Sequence, residues 1–102
     1  MHTIGKVNFM GFDCVVQKTN YGNNGRTALQ LFDLTDGAPV ATATVNIPDV
    51  ELGENEVLIK NYSENEGMLE ALEKGGIVSR TGESISNGFV TIPIAKLLRG
   101  IS

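Results

Sequence analysis

Twelve glycines are spread through the 102 residues, and together with Asn, Asp and Pro they interrupt the chain at short intervals. Regular elements must therefore be short, and the economical solution is a set of strands joined by tight turns. No repeat, low-complexity run or interdomain linker appears, so residues 1–102 read as a single small domain. A chain of this size buries about two thirds of the surface it exposes when unfolded, enough for one compact core and too little for a deep, walled-off active site as well.

Residues 4–10 and 14–19 read as two strands joined through Gly11-Phe12-Asp13. Residues 20–25 hold three Asn and two Gly, the types that tolerate positive φ, and form a loop. In the strand at 27–34, Leu29, Leu31 and Asp33 share one pleat face, with Ala28, Gln30 and Phe32 on the other. After a turn at Thr35-Asp36-Gly37, residues 39–46 place Ala41, Ala43 and Val45 inward and Val40, Thr42, Thr44 and Asn46 on a face expected to be wet.

Val57-Leu58-Ile59-Lys60 is a short buried strand, and Ser63-Glu64-Asn65-Glu66 behind it fits a capping box, which predicts a principal helix over 63–75. Met68, Leu69, Ala71 and Leu72 supply its inner face; Gly75 or Gly76 permits a left-handed cap, with Ile77 closing it. Residues 77–80 read as a brief strand, 81–87 as a polar loop and 89–92 as the last strand. Pro93 then opens a short amphipathic tail through Ile94, Leu97 and Leu98. Strands, helix, strands make an α+β domain: a mostly antiparallel β-sheet with one principal α-helix packed on it.

Composition excludes several chemistries. Cys14 is alone, so neither an intrachain disulfide nor a multi-thiolate zinc site forms, and its apolar neighbours suit a buried small side chain. His2, the one histidine, lies in a terminus expected to fray, which leaves no Ser-His or Cys-His pair. No phosphate loop, dinucleotide fingerprint, EF-hand or zinc-ligand spacing is present. The expectation is a non-enzymatic protein with no catalytic residues, metal or cofactor. No apolar run approaches the roughly 20 residues that span a bilayer, and the N-terminus lacks a signal-peptide core, so a cytoplasmic protein is expected.

Charge is unevenly placed. Between Asp49 and Lys74 eight carboxylates face two lysines, a local charge of −6, whereas Arg80, Lys96 and Arg99 against Glu83 give the C-terminal stretch +2. The acidic band disfavours direct nucleic-acid binding and suits a basic surface on a partner protein; a merely solvated face is the plainer reading. Glu64, Glu66, Glu70 and Glu73 are the candidate partner-binding residues. Candidate ligand-binding residues are Tyr21, Asn23, Asn24, Arg26, Tyr62, Arg80 and Thr81, which together supply amides, cations and stacking rings for a phosphorylated nucleotide. Against this stand a plain turn at 22–25 and simple helix capping around Tyr62.

The segments Asn24-Gly-Arg-Thr-Ala-Leu-Gln-Leu, Ala41-Thr-Ala-Thr-Val-Asn-Ile-Pro, Asn61-Tyr-Ser-Glu-Asn-Glu-Gly-Met-Leu-Glu-Ala-Leu and Gly88-Phe-Val-Thr-Ile-Pro carry a resemblance. From about Lys6 to Leu98 the chain resembles a family of small proteins of unknown function carried by phages, plasmids and conjugative elements of gut and related bacteria. That resemblance implies an anti-defence role in the host bacterial cytoplasm. The expected function is anti-CRISPR-type inhibition of a nuclease effector such as Cas9. The alternative is an oligomeric sponge, a homo-oligomer that sequesters a cyclic or ADP-ribose-type nucleotide immune signal.

Overall fold

The structure, a computed structural model, describes residues 2–98; Arg99, counted above in the basic C-terminal stretch, lies outside them. Strands β1 (His2–Phe9) and β2 (Phe12–Asn20) form a hairpin whose turn is Met10-Gly11. Both turn residues have positive φ, 51° and 84°, the geometry whose twist matches the flanking strands. His2 pairs with Lys18 and so belongs to β1, where fraying was expected. Strands β3 (Thr27–Asp33) and β4 (Pro39–Thr42) complete a four-stranded antiparallel sheet in the order β1-β2-β3-β4.

A second antiparallel sheet, ordered β5-β7-β6, comprises β5 (Glu56–Leu58), β6 (Val78–Asn87) and β7 (Val90–Leu97). The backbone beyond β4 links the two sheets. Thr44 bridges to Ile59, the Lys60 amide donates to the Ala43 carbonyl (2.8 Å), and the Val45 amide donates to that of Leu58 (3.1 Å). Helix α1 (Met68–Lys74) packs against both β1 and β6, one strand of each sheet. This is an α+β architecture. Val16, Leu29, Leu31, Ile59, Met68 and Leu72 are fully buried at its centre.

The helix is shorter than the capping box implies. Ser63–Asn65 forms one 3₁₀ turn, Ser63 itself at φ 59°, and α1 begins only after Gly67 at φ 90°. Two asparagines explain this. Asn65, 2% exposed, donates from Nδ2 to the Thr42 carbonyl (2.7 Å) and ties the turn to β4. Asn61 Oδ1 accepts from the Leu69 amide (2.8 Å), satisfying a free helix donor that the Ser63 hydroxyl does not reach. At the other end Gly76, at φ 73°, is the left-handed cap. The Ile77 amide donates to the Leu72 carbonyl (2.9 Å) and the Gly76 amide to that of Glu73 (3.1 Å), a Schellman pair.

Three further expectations are corrected. Residues 81–87, read as a loop, continue β6, and the stretch from Pro93, read as a separate tail, continues β7. The pairing shifts register between Arg80 and Ser84 at a bulge with Gly82 at φ 85°. There the Thr81 hydroxyl donates to the Ile94 carbonyl (2.8 Å) and accepts from the Glu83 amide (3.1 Å). Pro93 is tolerated because it faces Ile59, one residue past the end of β5; its carbonyl accepts the Ile59 amide (3.0 Å). Thr44, expected on a wet face, is 3% exposed and fully engaged, accepting from the Leu29 amide (3.2 Å) and sharing a hydrogen bond with the Tyr21 hydroxyl (2.9 Å).

Candidate functional site

The loop at 20–26 is fastened to the segment that follows β4. Its own backbone closes through the Tyr21 amide on the Arg26 carbonyl (2.7 Å) and the Gly25 amide on that of Tyr21 (2.9 Å). Asn46 Nδ2 donates to Asn23 Oδ1 (2.9 Å), and Asn24 Nδ2 donates to Asn46 Oδ1 (3.0 Å). Arg26 Nη1 donates to the Ile47 carbonyl (2.8 Å) and Nη2 to that of Val50. The guanidinium fork, which suits a phosphate, here holds two backbone oxygens. Tyr21, Asn23, Asn24 and Arg26 thus lie together, bound to the 44–50 segment.

The other candidates lie elsewhere. Tyr62 precedes the 3₁₀ turn, with Lys60 Nζ 5.8 Å from its ring centroid, within cation–π range. Lys60 also pairs with Glu64. Arg80 grips Glu73 with both arms, Nε to Oε2 at 2.9 Å and Nη2 to Oε1 at 2.6 Å. A cation assigned to a ligand and a carboxylate assigned to a partner therefore neutralise each other. Thr81 is half-buried in the β6 bulge.

These pairs set titration behaviour. The Lys60 ammonium, with help from the backbone amide and the Ser63 hydroxyl, holds the Glu64 carboxyl at about 2, below its ordinary value of 4.5. Arg80 likewise lowers Glu73. Depressed values mean the charged forms are favoured in the fold. Their contribution is complete above about pH 4.5 and is lost as pH falls through the folded values, near 2 for Glu64. A carboxylate-detected NMR titration is expected to show both midpoints depressed, with Lys60→Met raising that of Glu64 alone, part of the way back, since the backbone amide and the Ser63 hydroxyl remain. A Glu64 midpoint that ignores the substitution would refute the pairing.

A groove lies between the β1–β2 hairpin and α1. Its larger part, about 480 Å³, is lined by Lys6, Val7, Asn8, Asp13, Leu34 and Ala71, among others. A smaller part of about 170 Å³ extends toward Met10, Glu66 and Glu70; Asn8, Ala71 and Lys74 line both. Cys14 also lines the larger part, yet it is fully buried, and burial followed by the charges of Asp33 and Asp13 pushes its thiol up, away from the reactive thiolate. Among the described residues no cluster of His, Cys, Asp and Glu is placed to hold a metal ion, and no helix is long and apolar enough to cross a membrane.

Sequence reasoning missed the apolar side of this groove. Met10, Phe12 and Leu34 are 69%, 51% and 48% exposed, and with Phe89 at the Gly88-Phe89 turn they are the exposed large hydrophobics among the described residues. Leu34 lines the larger part of the groove and Met10 the smaller; Phe12 lines neither. The available signal was positional: Met10 and Phe12 flank Gly11 at a hairpin turn, where polar residues are usual. Glu66, just before α1, and Glu70, on its exposed side, share the smaller part of the groove and take part in neither carboxylate pair. Compared with known protein families, with curated proteins and with solved structures, the chain matches none.

Proposed function

We propose that this is a non-catalytic binding protein of a phage or other mobile element. It inhibits a bacterial antiviral defence system by occupying a protein effector stoichiometrically, as an anti-CRISPR-type inhibitor of a nuclease does. One observation carries the reading: the groove joins a part lined by exposed Leu34 to a part lined by exposed Met10 together with Glu66 and Glu70. An apolar centre with a charged rim is how protein interfaces are built, and the acidic rim favours a basic partner such as a nucleic-acid-handling enzyme. Glu64 and Glu73, held by Lys60 and Arg80, have less charge to offer. The choice of a defence system rests on the family resemblance. The nucleotide sponge has less support, since Arg26 and Arg80 already hold oxygens of the protein itself.

The test is DNA cleavage by a purified Cas9-type effector and phage plating on a strain that carries it, each with and without this protein. Wild type is expected to block cleavage and restore plating, and Glu66→Gln/Glu70→Gln to raise the inhibitory concentration about tenfold, equivalent to roughly 1.4 kcal/mol. Glu64→Gln/Glu73→Gln is expected to do less. Cleavage at an unchanged rate under saturating protein would remove this target.

A further inference from the structure

We infer that the groove takes a short amphipathic segment of a partner protein, with one bulky apolar side chain seated against Leu34 in the larger part and an adjacent Arg or Lys on Glu66 and Glu70 in the smaller part, beside Met10. This rests on the binding-protein reading and specifies the chemistry of its partner. Substituting for nucleic acid in a basic channel requires many carboxylates spread along one face. Here two of the four helix-region carboxylates are consumed internally, and the two that are not line the smaller part of the groove together with Met10. That is the pattern of a local anchor site, where a buried aromatic or aliphatic group supplies affinity and one or two charges set orientation.

Size agrees with this. About 480 Å³ falls in the range of pockets that enclose a compact ligand and accommodates a large side chain with its neighbours. The lining gives direction: Glu66 and Glu70 line the smaller part with Met10, whereas Lys6 lines the larger part and Lys74 lines both. The bound segment therefore places its basic residue toward Met10 and leaves its acidic or carboxyl-terminal end toward Lys6 and Lys74.

The experiment selects a library of random linear peptides on the full-length protein and measures the enriched peptides by calorimetry. Enrichment of a large apolar residue next to Arg or Lys is expected. Binding should weaken at least about tenfold in Leu34→Asp and in Glu66→Lys/Glu70→Lys, and remain unchanged in Phe89→Ser, whose side chain lines neither part of the groove. All the substituted residues are exposed, and an unchanged circular dichroism melt confirms folding. Three results overturn the inference: no enriched peptide, binding indifferent to both groove variants, or sedimentation showing self-association that Leu34→Asp abolishes. Peptide binding without nuclease inhibition would retain the docking site and remove the defence role. Inhibition that depends on Glu66 and Glu70 but ignores Leu34→Asp would do the reverse.

Discussion

Arg26→Ala is expected to destabilise the fold by about 2–3 kcal/mol, because it removes two charge-assisted hydrogen bonds to backbone carbonyls. In a domain of this size that is a fall in melting temperature of roughly 10–20 °C. The damage should be local first. Without the guanidinium, the segment holding Ile47 and Val50 keeps only the asparagine contacts at Asn46, and hydrogen exchange and proteolysis there should accelerate before the rest of the fold opens. Arg26→Lys should recover less than half of the loss, since a single ammonium cannot span two carbonyls as the planar fork does. Thermal melts with site-resolved exchange check both points. If Arg26→Ala melted like wild type, the guanidinium would be free for an anion, and nucleotide binding would regain its best cation.

Gly75→Ala is the second large effect, and its sign is decided by a competition. Gly75 has φ −79° at the end of α1, where alanine would ordinarily gain up to about 1 kcal/mol from helix propensity. A Cβ there, however, would meet Val7 Cγ1 at 2.4 Å and the Lys6 carbonyl oxygen at 2.8 Å. Neither yields easily: the carbonyl belongs to a paired strand, and Val7 is a buried, β-branched side chain with a stiff χ1. Overpacking of this kind costs about 1–3 kcal/mol, so net destabilisation is expected in urea denaturation. Gly5→Ala provides the control. Its Cβ would meet only the Ile77 side chain, with Cδ1 at 2.5 Å, and that flexible tip can rotate away, so a smaller loss is expected. Equal losses at both positions would show that α1 does not rest on the β1 backbone as described.

The sequence announced strands wherever local chemistry decided the outcome. Alternation in β3, the Asn/Gly loop at 20–25 and the glycine cap of α1 are local matters, and each lies where the residues indicate. The failures are places where a distant partner decides. Ser63-Glu64-Asn65-Glu66 has the composition of a capping box, yet Asn65 finds the Thr42 carbonyl 23 residues away, and the helix starts late. β6 lacked hydrophobic alternation because most of its positions are exposed, so no periodicity exists to be read. Arg26 and the asparagines around it looked available as ligand groups because the carbonyls and amides they serve lie 21 to 24 residues downstream. Met10 and Leu34 give no local sign of the groove they line, because it exists only where α1 packs against β1.

The bulge in β6 bears on how the chain behaves in a crowd. A ten-residue strand at the margin of its sheet, rich in Ser and Thr, is a ready site for a newly made copy to add on in register. With Gly82 at positive φ and the Thr81 hydroxyl taking a place in the ladder, the strand bends and shifts phase partway along. A second chain laid against it would lose register beyond Arg80 and gain only a few matched bonds. Fibrillar growth along this margin is thus resisted by backbone geometry rather than by electrostatic repulsion, and the resistance persists in high salt.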